Sequence, residues 1–350
     1  MATGKRMDVT VRGGGVFGLA CAFVLARRGA KVRLIEVARI GAGASGGHVG
    51  ALAPHVPEQW NPKKQFQLES LLMAEAFWAD VAAVGGGDPG YARLGRIQPL
   101  ADDAAVARAQ ARAAGAAVHW LDQAVWQVVP VAGFGAFAPV SPTGLVVHDT
   151  LSARANPRRA GAALVAALRA LGAEVVMGEA AEEGAVIHAT GAAGLAALSG
   201  ALGRPVGGGI KGQSALLCHD AGAVPQIYAD GVHIVPHADG TVAIGSTSER
   251  VFDAPDTVDA QLESLITQAC ALCPALAGAE VVDRWAGLRP RARSRAPMLG
   301  PWPGRPGHFI ANGGFKIGFG MAPKVAEVMA DLVLAGRDAI PAGFRVEDSL

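Results

Sequence analysis

Apolar side chains fall in short blocks along the first part of the chain, and glycines separate the blocks. Residues 8–12, Asp-Val-Thr-Val-Arg, predict a β-strand, and residues 31–36, Lys-Val-Arg-Leu-Ile-Glu, predict a second. Between them, residues 19–28 predict an apolar helix that Gly29 can stop in the left-handed region. After this βαβ start the pattern changes. A Gly-rich loop at 41–50 and a Pro-His-Val-Pro stretch at 54–57 replace the next βα unit. A helix is predicted over 62–84, ended by Gly85, Gly86 and Gly87. Short strands and turns alternate over 91–145 around one Ala- and Arg-rich helix, 102–114. Residues 156–171 predict an amphipathic helix and 173–177 a strand. Residues 186–194 predict a buried strand running into a glycine turn, and 214–246 several strands with turns at Asp230-Gly231 and Asp239-Gly240. A helix over 258–273, a strand at 309–311 and a helix over 323–334, with Pro323 in its first turn, close the pattern.

The glycines between the first strand and helix are spaced Gly13-x-Gly15-x-x-Gly18, in the context a dinucleotide loop requires. Gly13 allows the tight turn, Gly15 lets backbone N–H groups approach a pyrophosphate at the positive end of the helix, and Gly18 permits close helix–strand packing. Val16 and Phe17 lie in the same turn. Glu36 ends the second strand, where a carboxylate can accept hydrogen bonds from ribose hydroxyls; its charge argues against a 2′-phosphate. The expected fold is therefore α/β with an α+β cap. A Rossmann-like dinucleotide-binding domain from 1–84, 146–205 and 286–350 is interleaved with a sheet-rich substrate-binding domain from 85–145 and 206–285. Gly191 lies in the turn after the late strand and belongs to the same site.

Composition narrows the function classes. With 51% apolar and 17% charged residues in 350, a large buried core is available. A net charge of +1 without runs of like charge argues against nucleic acid or an anionic membrane surface as the main partner. Residues 1–7 do not read as a signal peptide, and no stretch approaches the roughly 18 apolar residues of a membrane span. A soluble, cytoplasmic protein is expected, and self-association into a homo-oligomer is compatible with this reading. Cys270 and Cys273 form a C-x-x-C without a second Cys or His pair, so no metal site is expected.

Five further segments resemble, in order, the glycine oxidase and D-amino acid oxidase-like family of flavoproteins, which includes sarcosine oxidases. Residues 39–50, Arg-Ile-Gly-Ala-Gly-Ala-Ser-Gly-Gly-His-Val-Gly, resemble its second FAD segment. Lys211-Gly-Gln213, with residues 235–240 and 244–247, resembles landmarks of its cap. Trp285-Ala-Gly-Leu-Arg-Pro290 with Pro297-Met-Leu-Gly300 is close to the glycine oxidase pattern. Asn312-Gly-Gly-Phe-Lys-Ile-Gly318, leading to Ala322-Pro323, resembles its closing flavin loop. The resemblance spans nearly the whole chain and implies FAD as cofactor. It assigns Ala44, Ser45, His48 and Gly50 to the pyrophosphate and flavin, and Gly314, Phe315, Lys316, Ile317 and Gly318 to the flavin edge. For His48 a flavin-edge contact is expected rather than covalent attachment. The C-terminal helix start would stabilise negative charge on the reduced ring.

The implied activity is oxidation of a small amine or amino acid to an imine, a hydride passing from the α-carbon to flavin N5, with O2 or an electron carrier as final acceptor. Such chemistry needs an anion clamp rather than a triad. Arg289 is the candidate clamp, because a guanidinium grips a carboxylate through parallel hydrogen bonds. The resemblance assigns Arg289 the same role. Lys316 stands where glycine oxidases typically carry arginine, and His233 where they carry a substrate-contacting tyrosine. His233 is expected to hydrogen-bond or to titrate near neutral pH. Two other readings remain: a flavin-carrying subunit of a multi-subunit amine dehydrogenase, and a flavin-dependent hydroxylase, whose usual Gly-Asp motif is missing here.

Overall fold

The strand Asp8–Arg12 is buried on both faces at Val9, Thr10 and Val11 and lies inside a six-stranded sheet. The computed structural model describes residues 7–350. In order across this sheet run Met298–Pro301, His308–Asn312, Ala185–His188, Asp8–Arg12, Lys31–Glu36 and Glu174–Met177. All neighbours are parallel except the hairpin Met298–Pro301/His308–Asn312. The helices Val16–Arg27, Pro62–Gly85, Pro157–Ala170 and Gly318–Ala335 pack on one another beside the sheet, around Leu19, Phe23, Trp78, Leu164 and Met329.

A second sheet has eight strands: Val281–Ala292, Gly207–Cys218, Thr241–Gly245, Val232–Pro236, Gln226–Ala229, Arg96–Pro99, Leu145–Asp149 and Trp126–Pro130. Its neighbours are antiparallel except Arg96–Pro99 with Gln226–Ala229. The helix Ala260–Leu272 covers one face through Leu262, Leu265 and Ala269. The helix Gly191–Leu202 packs against the long strands Gly207–Cys218 and Val281–Ala292 and so bridges the two layers.

Three segments differ from the sequence pattern. The Ala/Arg-rich helix runs Asp103–Trp120 instead of stopping at 114. Gly115 does not end it, because a Cβ there would fall 1.9 Å from the Pro57 carbonyl oxygen; the glycine admits a close crossing. The turn after Ala185–His188 opens directly into the helix Gly191–Leu202. The last helix begins at Gly318, not near 323, so Pro323 sits inside it rather than in its first turn. The glycine-rich loop therefore runs straight into the N-terminal end of that helix. The expected domain boundary at 145/146 falls within the strand Leu145–Asp149 of the eight-stranded sheet.

That strand also carries a buried ion pair. Arg96 Nε donates to Asp149 Oδ2 at 2.9 Å, and Asp149 Oδ1 accepts from the Ser152 N–H at 2.8 Å. Both side chains are buried. Asp149→Ala strands the guanidinium charge, and is expected to cost about 3–5 kcal/mol, read as a lower urea midpoint.

Candidate active site

The glycine loop is shaped by close backbone approach. Gly13 has φ +108°, and a Cβ on it would lie 2.4 Å from the Ala189 carbonyl oxygen. A Cβ on Gly18 would lie 1.9 Å from Gly13 O, so the first helix can rest on the loop only without a side chain there. Gly15 caps the helix Val16–Arg27 without a side-chain bond of its own. Ser45 Oγ, from the second loop, accepts from the Val16 N–H at 2.9 Å. The Glu36 carboxylate accepts from the Gly14 and Ala38 N–H groups at 2.6 and 2.8 Å, which fixes it at the mouth of the loop.

From this loop a cleft of about 740 Å³ runs between the two sheets. It brings together Gly13, Gly15, Val16, Phe17, Glu36, Ala44, Ser45, His48, Gly50, Gly191, His233, Arg289, Gly314, Phe315, Lys316 and Gly318. Gly18 and Ile317 lie behind its wall; Ile317 donates its N–H to Gly314 O at 2.9 Å and packs against the core. The helices starting at Val16, Gly191 and Gly318 point their N-termini into the cleft, and none carries its own side-chain cap. Helix N-termini converging on one cleft make it a receptor for a polyanionic or electron-rich ligand. The space, the glycine cradle and these dipoles fit an extended dinucleotide.

Arg289 is buried at the far end, 7% exposed. Its Nη1 donates to Ser246 Oγ, and its Nη2 donates to Thr247 O and, at 3.2 Å, to Lys211 O. Its Nε–H is buried without a partner, and among the described residues no carboxylate pairs with it. A Cβ on Gly212 would fall 2.2 Å from Nη2, so that glycine makes room for the guanidinium. Burial pushes the Arg289 pKa down to about 10, which leaves it charged at neutral pH. The Phe315 ring stacks under both Arg289 and Arg291, each 5.7 Å from its centroid. The Phe315 N–H donates to Pro290 O at 3.0 Å and ties the closing loop to the arginine strand. Lys316 lines the cleft with an exposed side chain, its pKa lowered by partial desolvation and then by Arg289.

One histidine role is corrected. Burial, with Arg96 and Lys316 adding to it, pushes His233 down to about 3, so it remains neutral instead of titrating near pH 7. His48 is buried, with Nδ1 3.1 Å from Ser214 Oγ and Nε2 3.2 Å from Asp283 Oδ2 and 3.1 Å from Arg158 Nη2. Both ring nitrogens are engaged by protein side chains, and the residue lines the cleft. Its carbonyl oxygen accepts from His237 Nε2 at 2.9 Å. Sequence reasoning gave no role to Asn312, whose Nδ2 donates to Gly191 O at 2.9 Å and whose Oδ1 accepts from the Gly313 N–H at 2.7 Å. Its place in the closing loop was the one available signal. Trp285 was also missed; it packs on Gly47, where a Cβ would come within 3.2 Å of the ring.

The depressed histidines make stability depend on pH. A folded pKa below the unfolded one means that the unfolded chain binds more protons as pH falls. The stability is complete above about 6.5 and is lost as pH drops toward the folded values, about 3 for His233 and about 4 for His188. Between pH 6.5 and 5, His233 alone is expected to cost about 2 kcal/mol. Thermal unfolding from pH 7 to 5 should show a falling midpoint, and a flatter profile in His233→Phe.

A two-sheet α/β protein with a glycine cradle and three helix N-termini on one cleft is a dinucleotide-binding enzyme of the flavoprotein type. The model of the FAD dependent oxidoreductase family matches residues 8–332, and the chain belongs to that family. It is 30% identical to a glycine oxidase of Pseudomonas putida, over 98% of this chain and 99% of that one. Among solved structures, a glycine oxidase from Geobacillus kaustophilus superposes with a TM-score of 0.82 at 24% identity, covering 97% of this chain and 98% of that one. An iminodiacetate oxidase from Chelativorans sp. BNC1 also reaches 0.82, at 21% identity, covering 96% and 98%. These two likenesses carry the fold. The cofactor is FAD, and the chain is an oxidoreductase of CH–NH or CH–NH2 groups. Among the described residues no helix is long and apolar enough to cross a membrane, and no group of three metal-ligating side chains converges. Cys270 and Cys273 instead have thiols raised by burial, Cys273 to about 11.

Proposed function

We propose that this chain oxidises a small amine or amino acid carrying a carboxylate, of the glycine, D-amino acid or N-methyl amino acid type. Arg289 carries the reading: a buried guanidinium at the inner end of the cleft with an orphaned N–H and, among the described residues, no ion-pair contact. A buried charge without an ion-pair contact is costly, and a substrate carboxylate is its natural complement. The adenosine end then lies at Gly13, Gly15, Gly18 and Glu36, and the reacting end at Phe315, Lys316 and Arg289. The six-stranded layer serves as the cofactor domain and the eight-stranded layer as the substrate domain.

Bound along the cleft, FAD supplies the acceptor for the two electrons of the C–H bond beside nitrogen. Arg289 fixes the carboxylate and thereby the direction of that C–H bond. Positive charge from Arg289 and Lys316 disfavours the ammonium form of the substrate and so favours the neutral amine the chemistry requires. His233 lines the cleft and stays neutral, and its Nδ1 is buried without a partner. The substrate loses a hydride from carbon and a proton from nitrogen. Water then opens the imine to a carbonyl compound and ammonia or an amine. O2 or an electron carrier takes the electrons onward, and the cytoplasm is the expected compartment.

Anaerobic mixing of the holoenzyme with glycine, sarcosine, D-amino acids, cyclic imino acids and simple amines should bleach the flavin absorbance with carboxylate-bearing members first. An unchanged spectrum with every member of the panel rejects this reading.

A further inference from the structure

The reacting end of the cleft carries a buried cation, Arg289, and an exposed one, Lys316, at its open side. Both line the cleft, and Arg291 stacks with Arg289 on the Phe315 ring. Among the described residues none of these three cations has an ion-pair partner. Of the acids nearby, Glu249 acts on Arg289 through its charge but makes its contacts with other groups. Glu249 and Asp259 both hold Lys211, at 3.5 and 3.0 Å, and Gln213 Nε2 donates to Glu249 at 3.0 Å. Arg96 is matched by Asp149. Of the other acidic side chains along the cleft, Glu36 is held by backbone N–H groups at the glycine loop and Glu179 pairs with Arg12 at 2.8 Å. Asp256 lies on an exposed loop at the rim, where water screens it.

We infer that the substrate is a dianion, an amine bearing two carboxylates, one held by Arg289 and the second by Lys316. This rests on the amine-oxidation reading and narrows its substrate class. The two positions suit different grips. Arg289 is immobilised by Ser246, Thr247 and Lys211 and offers fixed donors. Lys316 carries a compact charge on a flexible stem at the open side, able to follow a second carboxylate of variable reach. Neutral His233 beside it adds no charge to be neutralised. N-carboxymethyl amino acids and acidic amino acids share this chemistry.

The test uses ligands that cannot be oxidised to an imine. Oxydiacetate has two carboxylates about an ether oxygen, and methoxyacetate is the same frame with one. Calorimetric titration of the FAD-loaded enzyme should show oxydiacetate binding roughly tenfold tighter or more. Lys316→Met should bring the two ligands to similar affinity by weakening only oxydiacetate. Lys316→Arg should keep the difference, and Arg289→Met should weaken both. Turnover of iminodiacetate against sarcosine, and of D-aspartate against D-alanine, separates the two sources of the dicarboxylate. Equal affinity for the two ethers in the unaltered enzyme, or a Lys316→Met variant that weakens both alike, overturns the assignment. If sarcosine or glycine bleaches the flavin at least as well as the dicarboxylates, only the dianion falls. If no amine bleaches it and neither ether binds, the underlying function falls too.

Discussion

Arg289→Ala is expected to lower kcat/KM for carboxylate-bearing amines by on the order of 100-fold while FAD stays bound. Charge-assisted hydrogen bonds contribute about 1.5–3 kcal/mol each, so losing the contacts to one carboxylate removes about 3 kcal/mol or more. Ser246, Lys211 and Thr247, which now hold the guanidinium, would turn to water in the space left. Arg289→Lys should recover only part of the loss, because an ammonium lacks the planar set of donors. The readouts are steady-state kinetics and the flavin absorbance per protein. An unchanged KM and kcat would remove Arg289 from substrate binding; loss of the flavin would show that it supports the cofactor instead.

Gly18→Ala should produce a chain that does not retain FAD and unfolds at markedly lower temperature. The added methyl would stand 1.9 Å from the Gly13 carbonyl oxygen, which is backbone and cannot swing away. The helix Val16–Arg27 must then lift from the loop, at a cost of about 3 kcal/mol or more, and the cradle opens at Gly15. Gly133→Ala is the matched control. No heavy atom lies within 4 Å of its added Cβ, so it should stay within about 0.5 kcal/mol of the parent. Flavin content after gel filtration and the thermal midpoint distinguish the two. A Gly18→Ala protein that keeps both would show that the helix can ride away from Gly13 without disturbing the site.

The regions that sequence read well are those in which local chemistry decides. Asp8–Arg12 and Lys31–Glu36 form strands at the expected residues, and Asn156 caps its helix through its side chain as Asx residues do. The misreadings came where a distant segment overrode a local signal. Gly115 looked like a helix end because glycine disfavours helices, yet Pro57 lies against it from more than fifty residues away. Pro323 looked like a helix start because proline suits the first turn, yet the five residues before it are already helical. His233 carries the ordinary imidazole pKa in a peptide; its depression comes from burial and from Arg96 and Lys316, which only folding brings near.

The glycine spacing 13, 15 and 18 with Glu36 was enough to define a dinucleotide loop, because turn geometry and helix packing there depend on residues adjacent in sequence. Tertiary structure alone decided which cation is left for a ligand. Lys211 and Arg289 sit on adjacent antiparallel strands, with Ile210 opposite Arg289 and Lys211 opposite Leu288. Nothing in their own segments says which of them is matched. The loop and helix start that carry Glu249 and Asp259 fold back onto Lys211 and satisfy it, while Arg289 passes over Gly212 into the cleft with a donor unpaired. A charge is structural or functional according to what packs beside it, and that packing is set by contacts between residues far apart in the chain.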